Sequence, residues 1–220
     1  MRKTITINLG SSLLKQCSKP SGWLGRINLW SMNRRHSKVT EWGLAHVSIQ
    51  GRDTILDVGC GGGMTVARLA AMAPEGKTYG IDYSEESVAA SQKANRKWIA
   101  GGHAEILLGS VSHLPFPDQM FDLVTAVETH YYWPDLDADM REVLRVLKPG
   151  GAFIIIAEAY KGGKYDRMLR RLEELRGMMN YAHLSVSEHR ELFSRAGYSD
   201  VQVFEEYDKG WICAVGRKHG

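Results

Sequence analysis

A chain of 220 residues, 44% of them hydrophobic, is long enough to bury one sizeable α/β core as a single domain. Its three cysteines, Cys17, Cys60 and Cys213, lie far apart and are odd in number, which excludes a complete disulfide framework and a cysteine-rich zinc site and fits a reducing compartment. No apolar run approaches the roughly 20 residues of a membrane span, and residues 1–20 lack the apolar middle of a secretory signal, so a soluble cytoplasmic protein with no membrane partner is expected.

The net charge of +3 is unevenly spread: residues 1–50 hold eight Lys/Arg against the single acid Glu41. Such a basic arm either attracts a phosphate-bearing partner or is merely solvated. Within 22–49, Trp23, Ile27 and Trp30, then Val39, Trp42, Gly43 and His46, recur at helical spacing. Two helices are expected there, forming a small lid over the ligand-binding edge of a core that begins at residue 50. The domain division is thus an arm and helical lid over 1–49 and a core over 50–220.

From Thr54 onward, β-rich runs at 54–58, 77–81, 104–108, 121–127 and 152–157 alternate with helical patterns, the order that builds a parallel sheet with helices on both faces. The segment 84–99 reads as a helix with Ser84 as N-cap and Glu85 and Glu86 in its first turn. A second helix is predicted over 136–147, with Met140, Val143, Leu144 and Leu147 on one face and Pro149-Gly150-Gly151 as its stop. After a charged segment at 163–178, Ser185-Val-Ser-Glu188 has the capping-box pattern that starts a helix through Arg195. Runs 200–207 and 211–217, separated by Asp208-Lys209-Gly210, read as a hairpin. The fold class is therefore α/β: a doubly wound, Rossmann-like, mostly parallel sheet with an antiparallel edge hairpin and a helical N-terminal lid.

The chemistry concentrates at Asp57-Val-Gly-Cys-Gly-Gly-Gly63, a strand ending in a glycine turn that leads into a helix at Met64. Glycine lets bare backbone approach a ligand, and a helix start offers unpaired N–H groups. The dinucleotide pattern G-x-G-x-x-G begun at Gly59 fails at Met64, where its third glycine is required. A nicotinamide-dependent oxidoreductase is a rival that this departure counts against. About 20 residues beyond the turn, Gly80-Ile-Asp-Tyr-Ser84 supplies Asp82, placed to accept hydrogen bonds from two ribose hydroxyls.

With these motifs the chain resembles the class I S-adenosylmethionine-dependent methyltransferases, in particular the small-molecule group called methyltransferase type 11. The resemblance extends through Gly109-Ser-Val-Ser-His-Leu-Pro-Phe116, Phe121-Asp-Leu-Val124 and Glu142-Val-Leu-Arg-Val-Leu-Lys-Pro-Gly-Gly151. It implies S-adenosylmethionine as cofactor, S-adenosylhomocysteine as product and a small-molecule methyl acceptor. By that resemblance Gly59, Cys60, Gly61 and Gly63 form the turn under the methionine portion, and Asp57 orders the turn and faces the ligand's ammonium. Asp82 holds the ribose, Tyr83 lies along the adenine, Ser110 and Val111 meet the adenine edge, and Glu128 sits near the methionine portion. Many relatives carry an aspartate where this chain has Ser110, a shorter and uncharged acceptor.

Methyl transfer from a sulfonium needs chiefly the alignment of a nucleophile, and no metal is expected. The candidates for acceptor chemistry follow the fourth strand in Glu128-Thr-His-Tyr-Tyr-Trp133, at the carboxyl edge where ligands of open α/β sheets collect. His130 has the intrinsic pKa of a general base. Tyr131 and Tyr132 either orient an acceptor or form an apolar wall. His36, in Asn33-Arg-Arg-His36, either closes over the site against an anionic acceptor or ends a solvated helix. Two further rivals stay open: an RNA or protein methyltransferase using the basic arm, and a non-catalytic nucleoside-binding protein.

Overall fold

The computed structural model describes residues 36–168, 170–171 and 183–220. Of the expected lid, the first helix and the cluster Asn33 to Arg35 lie outside the described residues, as do the basic arm and much of 163–178.

Among the described residues, seven strands form one sheet: β1 (Thr54–Val58), β2 (Lys77–Asp82), β3 (Ala104–Leu108), β4 (Phe121–Val127), β5 (Leu147–Ala157), β6 (Ser199–Glu206) and β7 (Trp211–Arg217), in the order β3-β2-β1-β4-β5-β7-β6. The first five run parallel, while β7 pairs antiparallel with both β5 and β6. The expected hairpin is present, turning through Gly210 at φ +71. The later strand of that hairpin is the inner one, inserted beside β5. Chain order steps outward from β1 in one direction through β2 and β3, then returns to its other side at β4. A crevice therefore opens at the carboxyl ends of β1 and β4.

Among the described residues, helices that flank the sheet include α1 (Ser37–Leu44), α2 (Met64–Met72), α3 (Glu85–Ala94), α4 (Arg96–Ala100), α5 (Leu136–Val146) and α6 (Val186–Arg195). Alternation along the strands sends successive side chains to opposite faces. Phe153 and Ile155 join Met140 and Val143 of α5 and Leu192 and Phe193 of α6 on one face. Ile154 and Ile156 join Val39 and Leu44 of α1 and Leu69 of α2 on the other. All these side chains are nearly or fully buried. The α1 helix is thus packed into the core, and at its closest approach a Cβ on Gly43 would lie 2.5 Å from Ile156 Cγ1.

Three local features depart from the sequence expectation. The helix predicted over 84–99 is two helices, because Asn95 leaves helical geometry at φ −98, ψ 12 and its Nδ2 donates to the Gly63 and Ser91 carbonyl oxygens, each at 2.9 Å. The predicted helix 136–147 stops at Val146, before the Pro149-Gly150-Gly151 breaker, because Leu147 already pairs with Phe121 in the sheet. The breaker instead forms an irregular start to β5: the register shifts between Phe121↔Leu147 and Leu123↔Ala152. Both N-caps read from the sequence are present, Ser84 accepting from the Ser87 N–H and Ser185 in a reciprocal capping box with Glu188. Among the described residues no helix is long and apolar enough to cross a membrane.

Candidate active site

The crevice holds a cavity of about 420 Å³. Its floor is the glycine turn, where Gly59 has φ +73 and a Cβ there would lie 2.5 Å from Thr129 Cγ2. The turn is therefore closed to any side chain at Gly59, for both conformational and steric reasons. The Gly59 and Cys60 amides donate to the Ile81 carbonyl oxygen at 2.8 and 3.0 Å, so β2 anchors the turn.

Asp82 completes that anchor. One carboxylate oxygen accepts from the Gly61 N–H and the other from the Ser84 N–H, both at 2.9 Å. Burial raises the Asp82 carboxyl above its ordinary range, and these backbone donors oppose the rise. Asp57, expected to order the turn, instead accepts from the Thr125 hydroxyl at 2.6 Å, across to β4. Burial pushes the Asp57 carboxyl up to about 7; the Thr125 hydrogen bond opposes this and Asp82 adds to it. The turn is thus organised by the acid that was expected only to bind ribose.

Of the residues read from the sequence, the cavity wall includes His36, Asp57, Gly59, Cys60, Gly61, Asp82, Tyr83, Ser110, Val111, Glu128 and Tyr132. Tyr83 is 46% exposed at the mouth, where an apolar ring gains by covering a planar ligand. Cys60 is buried, and its thiol is pushed well up by burial first and by Asp57 and Asp82 next, which removes it from nucleophilic chemistry.

Gly63, His130 and Tyr131 do not line the cavity. Gly63 is the residue before α2, at φ +81, packed under Asn95 and Ser91. His130 is 1% exposed, its ring 4.1 Å from Tyr131 and 5.6 Å from His189 between centroids. Burial, then His189 and His183, hold its pKa well below the ordinary histidine range. The His130 ring is thus packed behind the wall rather than in it. Tyr131 acts one step back from the cavity, its hydroxyl donating to Glu128 Oε2 at 3.2 Å.

Glu128 stands at the end of β4 with φ +58, uncommon for a residue with a side chain. Its other oxygen, Oε1, accepts from the Glu158 N–H. Burial raises its carboxyl to about 7 against the opposing pull of His36, and Glu158 adds to the rise. Glu158, which follows β5, was missed in the sequence, although the rule that found Glu128 at the carboxyl edge of β4 applies equally one strand over. Arg68, Ser37 and Thr40 were missed as well; Arg68 donates to the Ser37 carbonyl and hydroxyl oxygens, both at 2.8 Å, and so ties α2 to the start of α1.

Residues 56–155 match the family described as Methyltransferase domain. The chain is 34% identical over 206 residues to the demethylmenaquinone methyltransferase of Geobacillus kaustophilus, an alignment covering 84% of this chain and 87% of that protein. The chain belongs to the S-adenosylmethionine-dependent methyltransferases.

This methyltransferase is of the class I type 11 group. It is also 33% identical over 128 residues to a fatty-acid O-methyltransferase of Mycolicibacterium smegmatis, covering 58% of this chain and 43% of that protein. Among solved structures, a methyltransferase in complex with the Trm112 activator of Haloferax volcanii superposes with a TM-score of 0.74 at 24% identity, covering 88% of this chain and 94% of that one, a likeness of fold. The family implies S-adenosylmethionine as methyl donor. The residues present fit it: a turn closed to side chains, an acid at the end of β2, and an exposed aromatic beside that acid.

Proposed function

We propose that this enzyme methylates a small organic acceptor bound at the α1 end of the cavity. The single observation that carries this is the continuity of one cavity from Asp82, Tyr83 and Ser110 at one end to His36, Glu128, Tyr132 and Trp133 at the other. A donor and a modest acceptor fit end to end in such a space. Both curated relatives above are named for small-molecule methylation, which supports the same class of acceptor.

In this reading Asp82 holds the ribose, Tyr83 covers the adenine, Ser110 and Val111 meet its edge, and Asp57 with the 59–61 backbone receives the amino-acid portion. S-adenosylmethionine supplies an electrophilic methyl on a sulfonium. The protein's part is alignment and exclusion of water, and positioning of this kind supplies on the order of 7–11 kcal/mol in ideal cases. Trp133 stacks on Phe153, with 6.0 Å between ring centroids, and Tyr132 stands beside it, so the acceptor end has a firm aromatic wall. Tyr131 positions Glu128 rather than touching the acceptor. His36 comes from the segment before α1 and closes the far side.

Thermal unfolding in the presence of S-adenosylhomocysteine or NAD tests the cofactor, with stabilisation expected from the first alone. Incubation of the full chain with isotopically labelled cofactor and fractionated metabolite extracts tests the acceptor. Label appearing in a low-molecular-mass product is the expected result. Label transferred only to RNA or protein overturns the small-molecule reading, and cofactor binding with no transfer to any fraction overturns catalysis.

A further inference from the structure

Two residues of the cavity wall, His36 and Glu128, converge with a third, Glu158, in a set of three potential metal ligands. His36 precedes α1, Glu128 follows β4 and Glu158 follows β5, so three separate segments deliver one donor atom each, all within 4.8 Å of one another. His36 Nδ1 lies 3.2 Å from Glu158 Oε2. Two neighbouring ligands at right angles around one ion, with bonds of about 2.1 Å, stand about 3 Å apart.

An ordinary ion pair accounts for that single distance. It does not account for Glu128, a second carboxylate set within reach of the same two groups. The backbone is turned to φ +58 to place it there. Its oxygens are also held in orientation from outside, by the Tyr131 hydroxyl and the Glu158 N–H, the kind of outer contact that fixes carboxylate ligands of metal ions.

We propose that His36, Glu128 and Glu158 bind one divalent cation, with its remaining positions open to oxygen atoms of the methyl acceptor. One imidazole nitrogen and two carboxylate oxygens, without thiolate, suit Mn²⁺, Fe²⁺ or Zn²⁺. Three protein ligands with open positions are the arrangement of a working rather than a structural site. This inference rests on the methyltransferase function above and narrows its acceptor to an oxygen-bearing class such as a phenol or enol. A bound cation would offset charge on the oxygen of such a hydroxyl and so ease loss of its proton to water. The freed oxygen pair would then form the bond to the methyl carbon as the carbon–sulfur bond breaks, its pair staying on sulfur and S-adenosylhomocysteine leaving as the neutral thioether. No motif along the chain marks these three residues, since they lie far apart and match no metal-binding spacing.

The test uses the full chain, freed of metal by dialysis against a chelator and titrated calorimetrically with Mn²⁺ and, separately, Zn²⁺; S-adenosylhomocysteine is titrated into the same preparations. One ion per chain is expected, with affinity falling at least tenfold in both His36→Ala and Glu158→Gln, while affinity for S-adenosylhomocysteine stays within about threefold. If His36→Ala fails to fold, Glu158→Gln decides alone, since its side chain is 27% exposed and part of no core cluster. No saturable ion binding, or equal binding by parent and variants, overturns the cation site. S-adenosylhomocysteine binding without ion binding sinks this inference and leaves the methyltransferase function standing, whereas loss of S-adenosylhomocysteine binding by the parent sinks the function itself.

Discussion

The Asp82 carboxylate accepts a hydrogen bond from the Gly61 N–H at 2.9 Å, joining the end of β2 to the glycine turn that follows β1. One side chain therefore shapes the cavity floor and lines the cavity it shapes. Replacing it removes the acceptor for a turn amide and, on the function proposed above, a charged contact to the ribose.

Asp82→Ala is expected to weaken S-adenosylhomocysteine binding at least tenfold, about 1.4 kcal/mol, and to lower stability by a further 1–2 kcal/mol or so as the Gly61 and Ser84 amides lose their acceptor. Calorimetric titration and thermal unfolding measure the two separately. Unchanged affinity would remove Asp82 from the cofactor site.

Gly59→Ala is expected to destabilise the protein by about 2–4 kcal/mol, combining an unfavourable positive φ with overpacking against Thr129. Thr129→Ser deletes the methyl group 2.5 Å from the introduced Cβ and keeps the hydroxyl that donates to the Val58 carbonyl at 3.0 Å. The double variant should recover part of the loss. Strict additivity of the two changes in a denaturation cycle would contradict the steric account.

Asp57 should titrate near neutrality and respond to ligand. Its folded-state pKa, about 7, lies above the unfolded value of 3.8, so the folded protein holds a proton that the unfolded chain has lost. Its contribution to stability is present below pH 3.8 and declines as pH rises through 7. Asp57→Asn should therefore raise the melting temperature of the ligand-free protein more at pH 8 than at pH 5. An ammonium arriving beside Asp57 favours its ionised form, so binding of S-adenosylhomocysteine near pH 7 should release up to one proton. Calorimetry in buffers of different ionisation enthalpy reads that release directly.

His189 carries the opposite dependence. It is 1% exposed, its Nδ1 is 2.8 Å from the Ser185 carbonyl oxygen, and burial lowers its pKa below 6.5 against weaker opposing effects of Ser185 and Glu188. Both states are neutral above the unfolded pKa of 6.5; as pH falls below it the unfolded chain binds a proton first, and stability is lost. Melting temperatures of His189→Gln and the parent between pH 8 and 5 should converge toward the acid end by a few degrees. Parallel profiles would show that His189 does not titrate with unfolding.

Local chemistry made the strands, the glycine turn, Asp82, the Ser84 and Ser185 caps and the closing hairpin legible, because each depends on periodicity, conformational freedom or a hydrogen bond within a few residues. Asn95 was hidden inside an apparently continuous helix because its decisive partner, the Gly63 carbonyl, belongs to the glycine turn 32 residues earlier. The start of β5 was hidden for a similar reason: pairing with β4 claims Leu147 before the local Pro-Gly signal acts.

The order of residues was thus sufficient to determine a strand–turn–helix for a nucleoside-bearing cofactor, since that signal is written in contiguous glycines and a single acid one strand later. Which side chains reach the cavity was decided by tertiary structure alone. His130, Tyr131 and Tyr132 are neighbours in sequence, yet the short helical turn they form sends the first against His189, the second onto Glu128 and the third to the cavity wall. His36, Glu128 and Glu158 meet only because α1 packs against β5 and the parallel strands β4 and β5 end side by side. Proximity of that kind is a property of the closed sheet and its packed helix, and no local stretch of the chain encodes it.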